Sequence, residues 1–454
     1  MLFQLPSFLI FFVAFCVLFA FCPKRLRLVF VTLASLFFYA WWYPPYLLLL
    51  VGMVVGCWLL LQLIWHDKRW LPVSLVISFM PLVLFKYTDF LLGSVATMTG
   101  LSTPRLDWTL PLAVSFVTFS VVSYMVDTAQ KPEKTPPRFW PTAVYVTFFP
   151  HLIAGPILRA HHILPQLPQL RLDRSAFVPN LALFATGMLK KVLVADPVGA
   201  FVDQAYAGHA TLSGWEGLAA IFGFAIQIYC DFSAYSDMAI ALAGMLGISF
   251  PENFRSPYAS TSLTEVWRRW HMTLSFWLRD YVFKPLHYRL HKYARHLSII
   301  LTMTVSGLWH GAAWTFVLWG LLHGLIMFAE NATGYSRYAN KVRGWQAGLC
   351  VAGTFLIWSF LAVIFRSPNL SVAYDVAIGS FTRGGWSIWA GDATVPVICG
   401  IILLALHPVD QVAKIRSAAS RIPAPLLVPV LLVMIIGSSV LASQHPQNFY
   451  YFDF

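Results

Sequence analysis

The chain has 454 residues, of which 58% are hydrophobic, 16% aromatic and only 11% charged, with a formal net charge of +12. Soluble domains carry about 25% charged residues, so the polar surface of a soluble protein is missing and a polytopic membrane protein is the class that remains. The basic balance calls for no nucleic acid, because cytoplasmic loops beside anionic lipid account for it.

In chain order, residues 1–22 carry no positive charge ahead of their apolar run; the charges follow, in "CPKRLRL". A secretory signal has its positive region first, so this stretch reads as a retained first span. Basic clusters at Lys24, Arg25 and Arg27, at Lys68 and Arg69, and at Lys131, Lys134 and Arg138 alternate with the poorly charged loops 41–46 and 94–108. That is the positive-inside pattern, with the basic loops in the cytoplasm. The basic loop 408–422 extends it and places the carboxyl terminus outside. Further apolar stretches lie near 139–155, 177–200, 214–248, 263–288, 297–330, 346–366, 392–406 and 424–443. A span needs about 20 residues; several of these are short, so about 10–12 crossings are expected, with re-entrant or interfacial helices. The expectation is one all-α domain over 1–454, without a repeat or a soluble module. The six cysteines lie mostly in apolar runs and form no C-x-x-C pair, which suits small buried hydrophobes.

Polar residues at membrane depth are costly and tend to be functional. Asp231, Ser233, Tyr235, Ser236 and Asp237 interrupt the apolar run 214–248. Either this segment is embedded and lines a wet cavity, or it is a surface break between two shorter helices. In "STSLTEVWRRWHMTLSFWLRDYVFKPLH", Ser262 and Glu265 have capping-box spacing, so a helix is expected from Leu263. Trp267, Trp270, His271, Leu274 and Leu278 would form its apolar face, as in an interfacial helix. A histidine on such a face is a packing residue or a functional one.

The stretch "SGLWHGAAWTFVLWGLLHG" at 306–324 places His310 and His323 among apolar residues. Thirteen residues apart on one helix, they would be separated by about 220° and about 20 Å, unless the helix breaks between them. No H-E-x-x-H and no Cys/His cluster is present, which disfavours a metal. Small residues follow His310 and leave room beside it, whereas His323 suits a bond to a neighbouring helix. A neutral imidazole is matched to take a proton from a hydroxyl.

"RRWHMTLSFWLRDYVFKPL" and "GLWHGAAWTFVLWGLLHG" together resemble the signature of the membrane-bound O-acyltransferases, in the bacterial branch that holds alginate O-acetylases and the D-alanyl transfer protein of teichoic acid modification. Also similar are "SLFFYAWWYPPYLLLL", "SFVTFSVVSYMVDTAQ", "FFPHLIAGPILR", "YCDFSAYSDMAIALAGMLGI" and the tail "NFYYFDF". The resemblance implies a ring of transmembrane helices around a central tunnel, with His310 and His271 catalytic. It also suggests Trp270, Trp309, Arg269, Asp231, Tyr235 and Asp237 as substrate or tunnel-lining residues. It implies transfer of an acyl group, acetyl from acetyl-CoA, to an extracytoplasmic polysaccharide at the bacterial inner membrane. A periplasmic esterase-like partner protein would complete that transfer, and no metal is required. The D-alanyl branch would draw on a carrier-protein thioester instead. A proton-coupled transporter is the reading from another class; the absence of a repeat and the clustering of polar sites between about 150 and 325 count against it.

Overall fold

The computed structural model describes the chain except residues 131–134, 154, 291–293, 387–392, 445–446, 448 and 451–454. Lys131, Lys134 and most of the aromatic tail therefore lie outside the described residues. In chain order the elements used below are α1 (Pro6–Phe21), α2 (Arg27–Ala40), α3 (Tyr46–His66), α4 (Lys68–Thr99), α5 (Val114–Gln130), α6 (Phe139–Thr147), α7 (Arg174–Ala207) and α8 (Gly214–Met245). They continue with α9 (Leu263–Arg269), α10 (Met272–Leu278), α11 (Ala294–His310), α12 (Trp314–Ala332), α13 (Trp345–Arg366), α14 (Thr394–Leu406) and α15 (Ala424–Gln444). No strand occurs among the described residues. Helices satisfy every backbone group internally, which is what a hydrocarbon solvent demands.

Seven of these, α3, α4, α7, α8, α12, α13 and α15, are long and apolar enough to cross a membrane. The remaining apolar helices, such as α1 and α14, are shorter. Large apolar side chains on the outer helices, among them Ile10, Leu48, Val76 and Val433, point outward, as lipid-facing residues do. α8 sits at the centre, buried over most of its 32 residues, with α7, α13 and α14 packed on it. Its start is fixed by a capping box of Ser213 and Glu216.

α8 is unbroken, so the alternative of two shorter helices joined at the surface does not hold. Its two aspartates and Tyr229 and Tyr235 are buried and paired, whereas Ser236 Oγ has no partner among the described residues. Lys191 Nζ lies 2.8 Å from both Asp196 and Asp231. Lys190 Nζ bridges Asp237 (2.6 Å) and Asp410 (2.9 Å), and the Tyr229 hydroxyl also donates to Asp410. The Tyr235 hydroxyl donates to Gln4.

The single amphipathic helix expected from Leu263 is instead two short ones. Ser262 caps α9 as its spacing suggests, accepting from the Glu265 N–H. The helix then stops at Trp270 because the segment 253–255 runs alongside and takes over its hydrogen bonds. Arg255 N–H donates to Arg269 O, and Met272 N–H donates to Asn253 O. At the junction His271 adopts a left-handed backbone (φ 43°, ψ 51°), a conformation rare for non-glycine residues and common at functional sites. α11 and α12 form a close hairpin. A Cβ on Gly307 would lie 2.2 Å from Phe316 O, and one on Gly320 would lie 2.3 Å from Met303 O, so the backbones meet through small residues as packed transmembrane helices do.

Candidate active site

The hairpin answers the spacing of the two histidines. His310 is the last residue of α11, residues 311–313 break the helix, and His323 falls inside α12. The rings come near each other with Trp319 between them, 5.4 Å from His310 and 4.3 Å from His323. His323 Nδ1 lies 2.9 Å from Trp319 O, and the rings of Trp267 and Trp358 flank the imidazole. His310 is set among Trp309, Trp319 and Phe365 at ring distances of 4.9, 5.4 and 5.3 Å.

His271 is fully buried, one tryptophan away from His310: its ring lies 6.2 Å from that of Trp309. Its Nδ1 is 3.1 Å from Asn253 Oδ1, an atom that also accepts from Thr273 N–H (3.3 Å) and Thr273 Oγ1 (2.8 Å). Those donors fix the Asn253 amide with its oxygen toward the histidine. A neutral His271 therefore carries its proton on Nδ1 and presents Nε2 as an acceptor. Trp309 stacks on Phe119 at 5.0 Å, and its indole N–H is buried without a partner among the described residues. An unmet buried donor costs about 1–3 kcal/mol, and this one belongs to the residue next to His310.

The other candidates separate. Trp270 packs into an aromatic cluster with Phe254, Tyr258 and Trp358. Arg269 pairs with Glu265 at 2.6 Å. Asp231, with Lys191, lines a cavity of about 490 Å³ between α7 and the middle of α8. Tyr235 and Asp237 line none of the described cavities; they are held by Gln4 and Lys190.

The 490 Å³ cavity is also lined by Ala313, Thr315, Phe316, Phe365 and Arg366, so His310 lies directly behind its wall. At the opposite, basic end a second cavity of about 620 Å³ is lined by Asp127, Arg159, Asp280, Tyr281 and Lys284. Asp280 accepts ion pairs from Arg159, Arg279 and Lys284. Partial burial pushes its carboxyl up, but the hydrogen bonds from Arg279, Lys284 and Arg159 more than offset this and hold it well below the usual carboxylate range. Arg159, Arg279 and Lys284 against the carboxylates of Asp280 and Asp127 leave this end with a small positive balance. A column of rings joins it to the histidines: Tyr281 on Trp277 (5.2 Å), Trp277 on Phe119 (3.7 Å), then Phe119 on Trp309. Among the described residues no group of three or more histidine, cysteine or acidic side chains is disposed to hold a metal.

Two residues at the site went unnoticed in the sequence. Lys86 Nζ donates to the carbonyls of Trp309 (2.6 Å) and His310 (3.1 Å). Its signal was an ionisable residue inside an apolar span. Asn253 carried no signal, because nothing in its own segment announces the histidine it orients.

The model of the membrane-bound O-acyltransferase family matches residues 116–367, which contain both histidines. The chain is 36% identical over 379 residues to the probable alginate O-acetylase AlgI of Pseudomonas syringae, covering 80% of this chain and 72% of that protein. It is 32% identical over 395 residues to the peptidoglycan O-acetyltransferase of Helicobacter pylori, with 78% and 74% covered. Against the teichoic acid D-alanyltransferase of Streptococcus thermophilus the identity is 27% over 292 residues, with 59% and 65% covered. With its apolar multi-pass fold and these matches, the chain belongs to the membrane-bound O-acyltransferase family and is an O-acyltransferase.

Proposed function

We propose that the protein transfers an acetyl group from acetyl-CoA in the cytoplasm to a hydroxyl on the outer side of the bacterial inner membrane. The hydroxyl belongs to a polysaccharide, or to a periplasmic esterase-like partner that completes polysaccharide O-acetylation. The observation that carries this reading is the place of His310: at a helix end, behind the wall of the far cavity, where the ring column from the basic cavity stops. The relatives named for O-acetylation of alginate and peptidoglycan support acetyl over D-alanyl by their higher identity.

The phosphates of the donor suit the positive basic cavity, and the thioester would extend along the ring column. A hydroxyl entering from the far cavity gives its proton to the neutral imidazole of His310 as its oxygen attacks the thioester carbon. The new C–O bond leaves a tetrahedral oxyanion, for which the indole N–H of Trp309, the residue next to His310, is an uncommitted donor. The C–S bond then breaks, and the imidazolium returns its proton to the thiolate. His271, with Nδ1–H committed to Asn253, offers a lone pair rather than a donor. It therefore orients a donor group of the substrate instead of holding the oxyanion.

Release of free thiol from acetyl-CoA by purified protein, supplied with a hydroxyl acceptor, tests this directly. His310→Ala is expected to lower the rate about 10²–10⁴-fold, the usual worth of a general base, while His323→Ala keeps turnover at reduced thermal stability. An unchanged rate in His310→Ala contradicts the mechanism. Thiol release only from a D-alanyl carrier protein reassigns the donor.

A further inference from the structure

Lys86 and Tyr87 are adjacent in α4, yet both bond to the end of α11. Lys86 takes the carbonyls of Trp309 and His310, and the Tyr87 hydroxyl donates to Leu308 O at 2.9 Å. A helix C-terminus leaves its last four carbonyls without intrahelical partners. Here three successive ones are met by two side chains that lie 221 to 224 residues earlier in the chain.

The local geometry of α4 makes this reach available. Successive side chains on a regular α-helix diverge by about 100°. Residues Val83–Tyr87 instead form a π turn, two residues after Pro81, which supplies no N–H to the ladder. Such turns are frequent at functional sites. Lys86 is half-buried at membrane depth, where an ammonium is expensive, and an apolar side chain would fill the space at less cost. What the ammonium contributes is its donors: it suits the negative end of the α11 dipole. It also lies 5.9 Å from the Trp309 ring centroid. Gly311, just after His310, is packed against Phe316, whose ring would lie 2.0 Å from a Cβ at that position.

We propose that Lys86 and Tyr87 are positioning residues for acyl transfer: they pin the carbonyl end of α11 and so fix the His310 imidazole and the Trp309 indole relative to the thioester. This rests on His310 being the base. A misplacement of about 1 Å at a reacting group costs on the order of 10²-fold in rate, so the effect belongs in kcat and not in donor binding.

The test is steady-state thiol release by full-length wild type, Lys86→Met, Lys86→Arg, Tyr87→Phe and His310→Ala in nanodiscs, with melting temperatures measured alongside. Lys86→Met is expected to lose about 10- to 100-fold in kcat, with KM for the thioester held within about twofold. Lys86→Arg, which can donate to the same carbonyls, should recover most of that loss, and Tyr87→Phe should show a smaller fall of the same kind. Wild-type kcat in Lys86→Met, or a loss confined to KM, overturns the proposal. So does a loss that Lys86→Arg does not restore and that tracks the melting temperature. If Lys86→Met does not fold, Tyr87→Phe decides by the same kcat criterion. An active His310→Ala removes the functional reading and this proposal together; an inactive His310→Ala beside a fully active Lys86→Met removes only the proposal.

Discussion

At the scale of single residues, chemistry at this site is set by which atoms are already spoken for. Asn253 commits one nitrogen of His271, Trp319 O faces one nitrogen of His323, and the Trp309 indole has no partner among the described residues. Trp309→Phe keeps the stack on Phe119 and removes only the N–H. If that group meets the oxyanion, kcat should fall about 10²–10³-fold with little change in KM; a wild-type kcat would assign the oxyanion to another donor. The histidines themselves were legible in the sequence, because imidazoles in an apolar segment stand out. Their division of labour was not. It depends on Asn253, 18 residues before His271, and on a left-handed backbone at His271 that no local pattern announces.

At the scale of elements, two departures from regular helix build the site. The apolar periodicity over 263–288 reads as one helix, and it is broken because residues 253–255 offer better-placed hydrogen bonds at Trp270 and His271. Sequence periodicity reports which face is apolar, not whether a neighbouring segment will compete for the backbone. Between His310 and His323 the reverse holds: the small residues at 311–313 were visible, and the open question of a break resolves into a hairpin. Its closeness is testable. Gly320→Ala places a methyl 2.3 Å from the Met303 carbonyl, so α11 and α12 must separate. The expected result is a large drop in melting temperature and in the yield of folded protein.

At the scale of the whole molecule, the hydropathy profile gave the class and most of the helices, but against about 10–12 expected crossings only seven helices among the described residues are long and apolar enough to span. It could not give the pairing of charges across the fold. Lys190 joins α7 to α8 and to Asp410 beyond α14, while Lys191 ties Asp196 to Asp231. These pairs bring together residues up to 220 positions apart, a relation absent from any local window. They also show why polar residues in α8 need not all be catalytic: some are the partners of buried lysines. Lys191→Met leaves two carboxylates uncompensated, and breaking a buried pair this way costs about 3–5 kcal/mol. A denaturation midpoint within error of wild type would show that Asp196 and Asp231 find water or other partners in the far cavity.

In the proposed reaction an acyl group crosses the membrane past His310 while its donor stays behind. The most direct measurement uses proteoliposomes of one orientation, with radiolabelled acetyl-CoA on the basic-loop side and a hydroxyl acceptor enclosed on the other. Labelled ester on the enclosed acceptor, with CoA remaining on its own side and both signals lost in His310→Ala, is the expected result. Ester formed only on the donor side, or undiminished in His310→Ala, would contradict it.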